Sequence, residues 1–174
     1  MKDSIVLYLL DANTLIDAKN YYYPIDRVPE FWDWLIYHGR SGNIKIPIEI
    51  YRELYGQKGK KDELVTWAKR AEVKKTLLLK ESAEPDLVSR ITYGGYLPNP
   101  TDDEIKRMGN DPFLLSYALR DPENRCVVTT EVSKKSKKGA GAKIPDVCEK
   151  FDIRCIDSFQ LIRELDFKTS WNKQ

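Results

Sequence analysis

The stretch Ser4-Ile5-Val6-Leu7-Tyr8-Leu9-Leu10-Asp11-Ala12-Asn13-Thr14-Leu15-Ile16 decides how the rest of the chain is read. Its apolar run stops at an aspartate and resumes as an apolar pair only after Ala12, Asn13 and Thr14. An uninterrupted apolar run reads as a strand buried on both faces, and a short polar residue before a new apolar stripe reads as a helix start. Asp11 therefore falls at the carboxyl edge of a strand, where open α/β sheets bind their ligands. The same position suits an aspartate that only caps the following helix. The remaining acids of the chain must separate these two readings.

Composition narrows the field. At 174 residues, with 41% hydrophobic and 32% charged content, the chain reads as one soluble globular domain spanning 1–174. No apolar run approaches the roughly 20 residues of a membrane span, and the start lacks the pattern of a secretory signal. Cys126, Cys148 and Cys155 are too widely spaced for a metal-ligand pattern and read as reduced thiols, which suits a cytoplasmic protein. With one histidine, His38, neither a zinc site nor a histidine-dependent triad is expected. The net charge of +2 rules out a strongly basic coat but allows local runs at Lys58-Gly59-Lys60-Lys61 and Lys134-Lys135-Ser136-Lys137-Lys138. The first run is no nucleotide loop, because its glycines are too close and no Ser or Thr follows the last lysine. Either run is by default a solvated loop.

Strand and helix signals alternate along the chain. A short helix follows Asp11, and Tyr21-Tyr22-Tyr23-Pro24 ends it with at least one ring pointing outward. Pro29 opens a helix over 29–39, Ile44-Lys45-Ile46 is a short strand, and Pro47 takes the first position of the next helix. In that helix Glu49 and Glu53 lie four apart on one face. Arg52 can pair with Glu49, which leaves Glu53 as the less explained carboxylate. A helix is expected over 62–71, residues 73–79 are ambiguous between helix and strand, and Pro85 opens another helix. Thr101-Asp102-Asp103-Glu104 has the form of a cap followed by an acidic first turn. In Asn110-Asp111-Pro112, aspartate at the cap and proline at the first helical position mark a helix start. Arg125-Cys126-Val127-Val128-Thr129 is a strand that delivers Thr130 and Glu131 at its end, repeating the logic of Asp11. A helix, a last strand and a final helix follow, with a polar tail over 167–174 expected to fray. The expected architecture is a three-layer α/β/α fold around a mostly parallel central sheet.

Four pieces in order resemble the PIN-domain family, a metal-dependent ribonuclease fold found in many prokaryotic toxins. They are Leu9-Leu10-Asp11-Ala12-Asn13-Thr14, the Ile46-Pro47 to Glu53-Leu54 helix, Asn110-Asp111-Pro112, and Val127-Val128-Thr129-Thr130-Glu131. Each is weak alone, and their order makes the set specific. Two departures stand out: the fourth acid is a glutamate where the family usually has aspartate, and residues 60–100 form an enlarged helical insertion. The insertion resembles that of a larger branch of the family.

The resemblance implies an endoribonuclease that hydrolyses RNA phosphodiester bonds with Mg²⁺ or Mn²⁺, whose hard oxygen ligands would be carboxylates. It makes Asp11, Glu53, Asp111 and Glu131 the catalytic and metal-holding acids. Asn13 and Thr129 become donors that orient carboxylates or phosphate, and Lys134, Lys135, Lys137 and Lys138 contacts to the RNA backbone. The expected partners are an RNA substrate, a cognate antitoxin protein and a second copy in a homodimer, with no membrane. One alternative is a catalytically weak or inactive PIN-like RNA-binding or protein-interaction module. Another is a Mg-dependent phosphohydrolase with an aspartyl-phosphate nucleophile. Asn13 argues against the latter, since such enzymes want a second acid close to the first.

Overall fold

A computed structural model of the chain describes residues 6–56 and 62–173, so the basic run at 58–61 lies outside the described residues. Four strands, β1 (Leu7–Leu10), β2 (Ile44–Lys45), β3 (Arg125–Val128) and β4 (Arg154–Ile156), form a sheet of order β2-β1-β3-β4. Every pairing is parallel, with Leu10 opposite Val128 and Val128 opposite Ile156. Among the described residues ten α-helices flank this sheet, giving the expected α/β architecture with helical layers around a parallel sheet. Parallel strands covered on both faces must be apolar throughout. Leu9, Leu10, Cys126, Val127 and Val128 are accordingly all at 0% exposure.

The chain leaves β1 for β2 on one side, while β3 and β4 lie on the other. The strand order therefore reverses beside β1, and the crevice at the carboxyl ends of β1 and β3 is the place where such sheets accept ligands. Helix α1 (Ala12–Asp17) leaves directly from the end of β1 and continues through a π-helical turn, Ala18–Tyr22. Tyr21 and Tyr22 are exposed there, while Tyr23 stacks on Phe31 with ring centroids 4.4 Å apart. Phe31 begins the aromatic packing of α2 (Pro29–Ser41). The tail joins that cluster rather than fraying. Phe167 lies 5.2 Å from Trp34, and the Trp171 indole donates to the Glu30 carbonyl at 3.2 Å, because both rings have an apolar surface to cover.

Helix α3 (Ile48–Tyr55) carries Glu49 and Glu53. Pro47 stands one residue before it, at the cap, with extended backbone. The expected Glu49–Arg52 pair does not form: Arg52 is exposed, and the Tyr117 hydroxyl donates to Glu49 at 3.5 Å. The insertion is helical as expected, but its first helix is divided. Asp62 caps α4 (Glu63–Ala68) by accepting from the Leu64 and Val65 amides, and Arg70 turns extended before α5 (Ala71–Leu77). The ambiguity over 73–79 resolves into both answers, since α5 ends in a single parallel bridge between Leu78 and Ile46.

Helix α6 (Pro85–Ile91) then runs into a second π-helical turn, Thr92–Tyr96. The capping box of Thr101 and Glu104 opens α7 (Asp102–Met108), followed by α8 (Asp111–Leu119). After β3 and a short 3₁₀ turn, Gly139–Gly141, come α9 (Ile144–Lys150) and, beyond β4, α10 (Ser158–Glu164).

One ion cluster ties the insertion to the elements that carry the later acids. Glu81 accepts from both terminal nitrogens of Arg125 at the start of β3, at 3.0 and 2.9 Å, and pairs with Arg120 at the end of α8. Arg125 also donates to the Tyr117 carbonyl at 2.9 Å. Burial works against the Glu81 charge, but the two guanidiniums outweigh it and hold the carboxyl below its ordinary range. Glu81→Gln should cost about 1–3 kcal/mol in urea unfolding, because two partly buried arginines lose their anion. An unchanged unfolding midpoint would show that the cluster contributes nothing to the fold.

Candidate active site

Asp11 follows the last residue of β1, and its backbone N–H donates to the Val128 carbonyl at 2.9 Å, extending the β1–β3 ladder by one step. The side chain is 3% exposed and makes no capping bond to α1. Its Oδ2 instead accepts from the Thr129 hydroxyl at 2.9 Å. Thr129 Oγ1 also accepts from the Glu131 amide at 3.1 Å, so one buried hydroxyl fixes both the first acid and the turn bearing the fourth. Thr14 Oγ1 donates to the Val128 carbonyl at 3.1 Å from the other side of the junction. Asp11 thus occupies a capping position without doing a cap's work.

Glu53 reaches the same crevice from α3, and its Oε1 accepts from the Asn110 amide at 2.6 Å. This contact corrects the reading of the third motif. Asn110, not Asp111, stands at the cap of α8, Asp111 is its first residue, and Pro112 comes second. Asn110 makes no side-chain capping bond, and its Nδ2 donates to Glu53 and, at 3.4 Å, to the Glu49 carbonyl. The Asp111 carboxylate makes no hydrogen bond among the described residues. Glu131, just past β3, has both oxygens engaged: Oε1 accepts from Lys143 Nζ and Oε2 from the Ile144 amide at the start of α9, each at 2.8 Å.

The four acids are electrically coupled. Burial, followed by the charges of Asp11, Glu131 and Glu53, pushes the Asp111 carboxyl up to about 8, with Lys143 pulling the other way. Asp11 is pushed up to about 6, mainly by burial and further by Glu53 and Glu131, against the Thr129 hydroxyl and the Ala12 amide. Acids from β1, α3, α8 and the end of β3 therefore share one poorly screened region. Among the described residues, no group of three or more His, Cys, Asp or Glu is already gathered closely enough to hold a metal ion. Glu131, Glu53 and Asp11 are each turned onto a partner within the chain. The donor chemistry nonetheless fits a hard divalent cation: carboxylates crowded at the cost of raised proton affinity, with neither histidine nor thiolate among them.

The remaining expected positions divide. Thr129 is central, whereas Asn13 is exposed in the first turn of α1. Lys134, Lys135, Lys137 and Lys138 are exposed beyond Glu131, and Lys135 pairs with Asp146 at 3.2 Å and with Glu149. Sequence reasoning missed Asn110, Lys143 and Tyr96. Asn110 stood next to a chosen acid, and Lys143 immediately precedes a helix whose amide Glu131 captures. Tyr96 sits behind a glycine pair that reads only as a helix breaker.

A sheet of this order with acids at its switch point defines an α/β domain with a carboxylate centre. The model of one protein family, described as a domain of unknown function (DUF4411), matches residues 8–169. The chain belongs to that family, and the match runs from β1 past α10. No curated protein and no solved structure matches the chain.

The raised carboxyls have a consequence for stability. A carboxyl whose folded-state pKa lies above its unfolded value binds its proton mainly in the folded state, so folding weakens as pH rises through that window. In chelator-treated protein, Asp111→Asn should therefore raise the melting temperature by several degrees at about pH 8. The gain should shrink as pH falls and vanish only below about pH 4, where Asp111 is protonated in the folded and unfolded states alike. A constant difference across that range, measured by calorimetry, would contradict the coupling.

Proposed function

We propose that this protein is a metal-dependent endoribonuclease of the PIN type, acting with Mg²⁺ or Mn²⁺ and serving as the toxin of a prokaryotic toxin–antitoxin pair. One observation carries the nuclease reading. Acids from four separate elements converge on the region where the parallel sheet reverses order, and burial together with their mutual repulsion raises Asp111 and Asp11. RNA as substrate, the cognate antitoxin and the homodimer rest on the resemblance to PIN domains.

Within this reading, Asp11 and Asp111 would hold the cation, with Glu53 and Glu131 beside them. When bound, the ion would lower the pKa of the attacking water and stabilise charge on the phosphoryl group. The chain's own residues supply the alignment. Thr129 holds Oδ2 of Asp11 in place, and Asn110 holds Glu53. Lys143 balances the Glu131 charge. Exposed Lys134, Lys137 and Lys138 offer positive charge to a phosphate backbone, while Lys135 is partly neutralised by its two acids.

A second reading is favoured by one specific observation: both oxygens of Glu131 are already bonded. A glutamate spent on Lys143 and a helix amide suits a PIN-like module that binds RNA without cutting it.

Cleavage assays with mixed RNA and DNA substrates separate the two. Wild-type protein should cut RNA with Mg²⁺ or Mn²⁺ and lose the activity in chelator. Asp11→Asn should lose at least about 10²–10³-fold while keeping its circular dichroism spectrum. Metal-independent RNA binding with no cleavage would support the binding module, and undiminished cleavage by Asp11→Asn would refute the assigned site. A Mn²⁺ anomalous difference map should place its peak beside Asp11 and Asp111.

A further inference from the structure

Tyr96 closes the π-helical turn Thr92–Tyr96 and is 6% exposed, yet its hydroxyl has no hydrogen-bond partner among the described residues. Leaving a buried hydroxyl unpaired is destabilising, and phenylalanine would fill the same space without that cost. The hydroxyl stands where it feels the charges of Asp111, Glu131 and Asp11, though it bonds to none of them. Burial and those charges keep its proton on, so the group is a neutral donor with no acceptor among the described residues.

The turn that carries it is fixed rather than adaptable. A Cβ on Gly95 would meet Val147 Cγ1 at 2.7 Å and Phe151 Cε2 at 3.0 Å, so only glycine lets the turn lie this close to α9. Lys150 Nζ donates to the Gly95 carbonyl at 2.6 Å, and the Leu97 amide donates to the Thr92 carbonyl at 3.0 Å. The Tyr96 ring also lines an open cleft of about 520 Å³ whose rim carries Lys135, Lys137, Lys138 and Lys150 against Asp146 and Glu149. Both acids are paired to Lys135, so Lys137 and Lys138 supply the cleft's excess positive charge. One side chain therefore borders the cleft and lies within electrostatic reach of the acid centre.

We infer that Tyr96 is a catalytic residue whose hydroxyl donates a hydrogen bond to a non-bridging oxygen of a phosphodiester seated between the basic cleft and Asp11 and Asp111. This inference rests on reading the acid centre as a phosphodiester-cleaving site. It adds a donor from the insertion, outside the four motifs, and assigns the lysine-lined cleft as the path of the flanking phosphates. Bond making and breaking are left to the acids; Tyr96 keeps its proton and stabilises the charge that develops on phosphorus-bound oxygen.

Tyr96→Phe tests the inference, because it keeps the ring and removes only the donor. The variant should melt at the wild-type temperature or higher, and kcat for RNA cleavage should fall about 10–100-fold with KM within about threefold. A separate readout needs no turnover. In protein labelled with ¹³Cζ-tyrosine, the signal missing from Tyr96→Phe belongs to Tyr96. With Ca²⁺ present, a short RNA oligomer should shift that signal, and so should dimethyl phosphate. A shift without cleavage by the wild type would uphold the donor and overturn the nuclease reading. Cleavage by the wild type with Tyr96→Phe equally active would do the reverse. Absence of any shift at saturating concentrations of both probes would overturn the donor, as would a marked loss of stability in Tyr96→Phe, which would reveal a structural partner for the hydroxyl.

Discussion

The parallel pairing of β1 with β3 is the constraint on which the rest depends. Its register sets Leu10 opposite Val128, so the next residues, Asp11 and Thr129, emerge side by side from adjacent strands. The Asp11 amide and the Thr14 hydroxyl both donate to the Val128 carbonyl, at 2.9 and 3.1 Å. A slip of one residue would turn Asp11 or Thr129 to the wrong face of the pleat and bury apolar side chains against the crevice. The hydrophobic demand of a doubly covered sheet thus places a carboxylate and its hydroxyl partner together. Burial of the strands and geometry of the site are one requirement.

That placement leaves the site electrostatically uncomfortable. Three of the four acids relieve their charge within the chain: Asp11 through Thr129, Glu53 through Asn110, and Glu131 through Lys143 and the Ile144 amide. Asp111 makes no hydrogen bond among the described residues, and burial with the neighbouring acids pushes it furthest, to about 8, against the pull of Lys143. Within reach of its charge is the Tyr96 hydroxyl, which also lacks a partner among the described residues. Repulsion at one residue and an unused donor at another are what remain when a site is arranged for something outside the chain. The surrounding framework is ordinary by contrast, with closed ion clusters such as Glu81 with Arg120 and Arg125.

What could be read in the sequence follows from how local each signal is. The end of an apolar run is visible in a few residues, so Asp11, Thr129 and Glu131 were legible, as was the α/β architecture. Glu53 was legible by elimination, although the Arg52 pairing behind that elimination does not form. Asp111 is legible as an acid but reads as the cap, because asparagine and aspartate serve equally there and only the folded backbone shows Asn110 in that place. Lys143 and Tyr96 could not be read, since their relevance depends on how α9 and the insertion fold back onto the sheet. The lysine run looked uniformly available, yet Lys135 is paired across to α9 by contacts 11 and 14 residues away. Resemblance carried the chemistry where local signals could not, and membership of DUF4411 leaves that chemistry as the claim to be tested.

The most direct test is the melting temperature of the wild type and Asp111→Asn as a function of Mn²⁺ concentration. A ligand that binds only the folded state stabilises it by RT ln(1 + [L]/Kd). The wild type should therefore climb steadily with the logarithm of Mn²⁺ above its Kd, and Asp111→Asn should stay flat. Equal behaviour of the two proteins, or no rise in either, would contradict a cation-binding carboxylate centre at the head of this sheet.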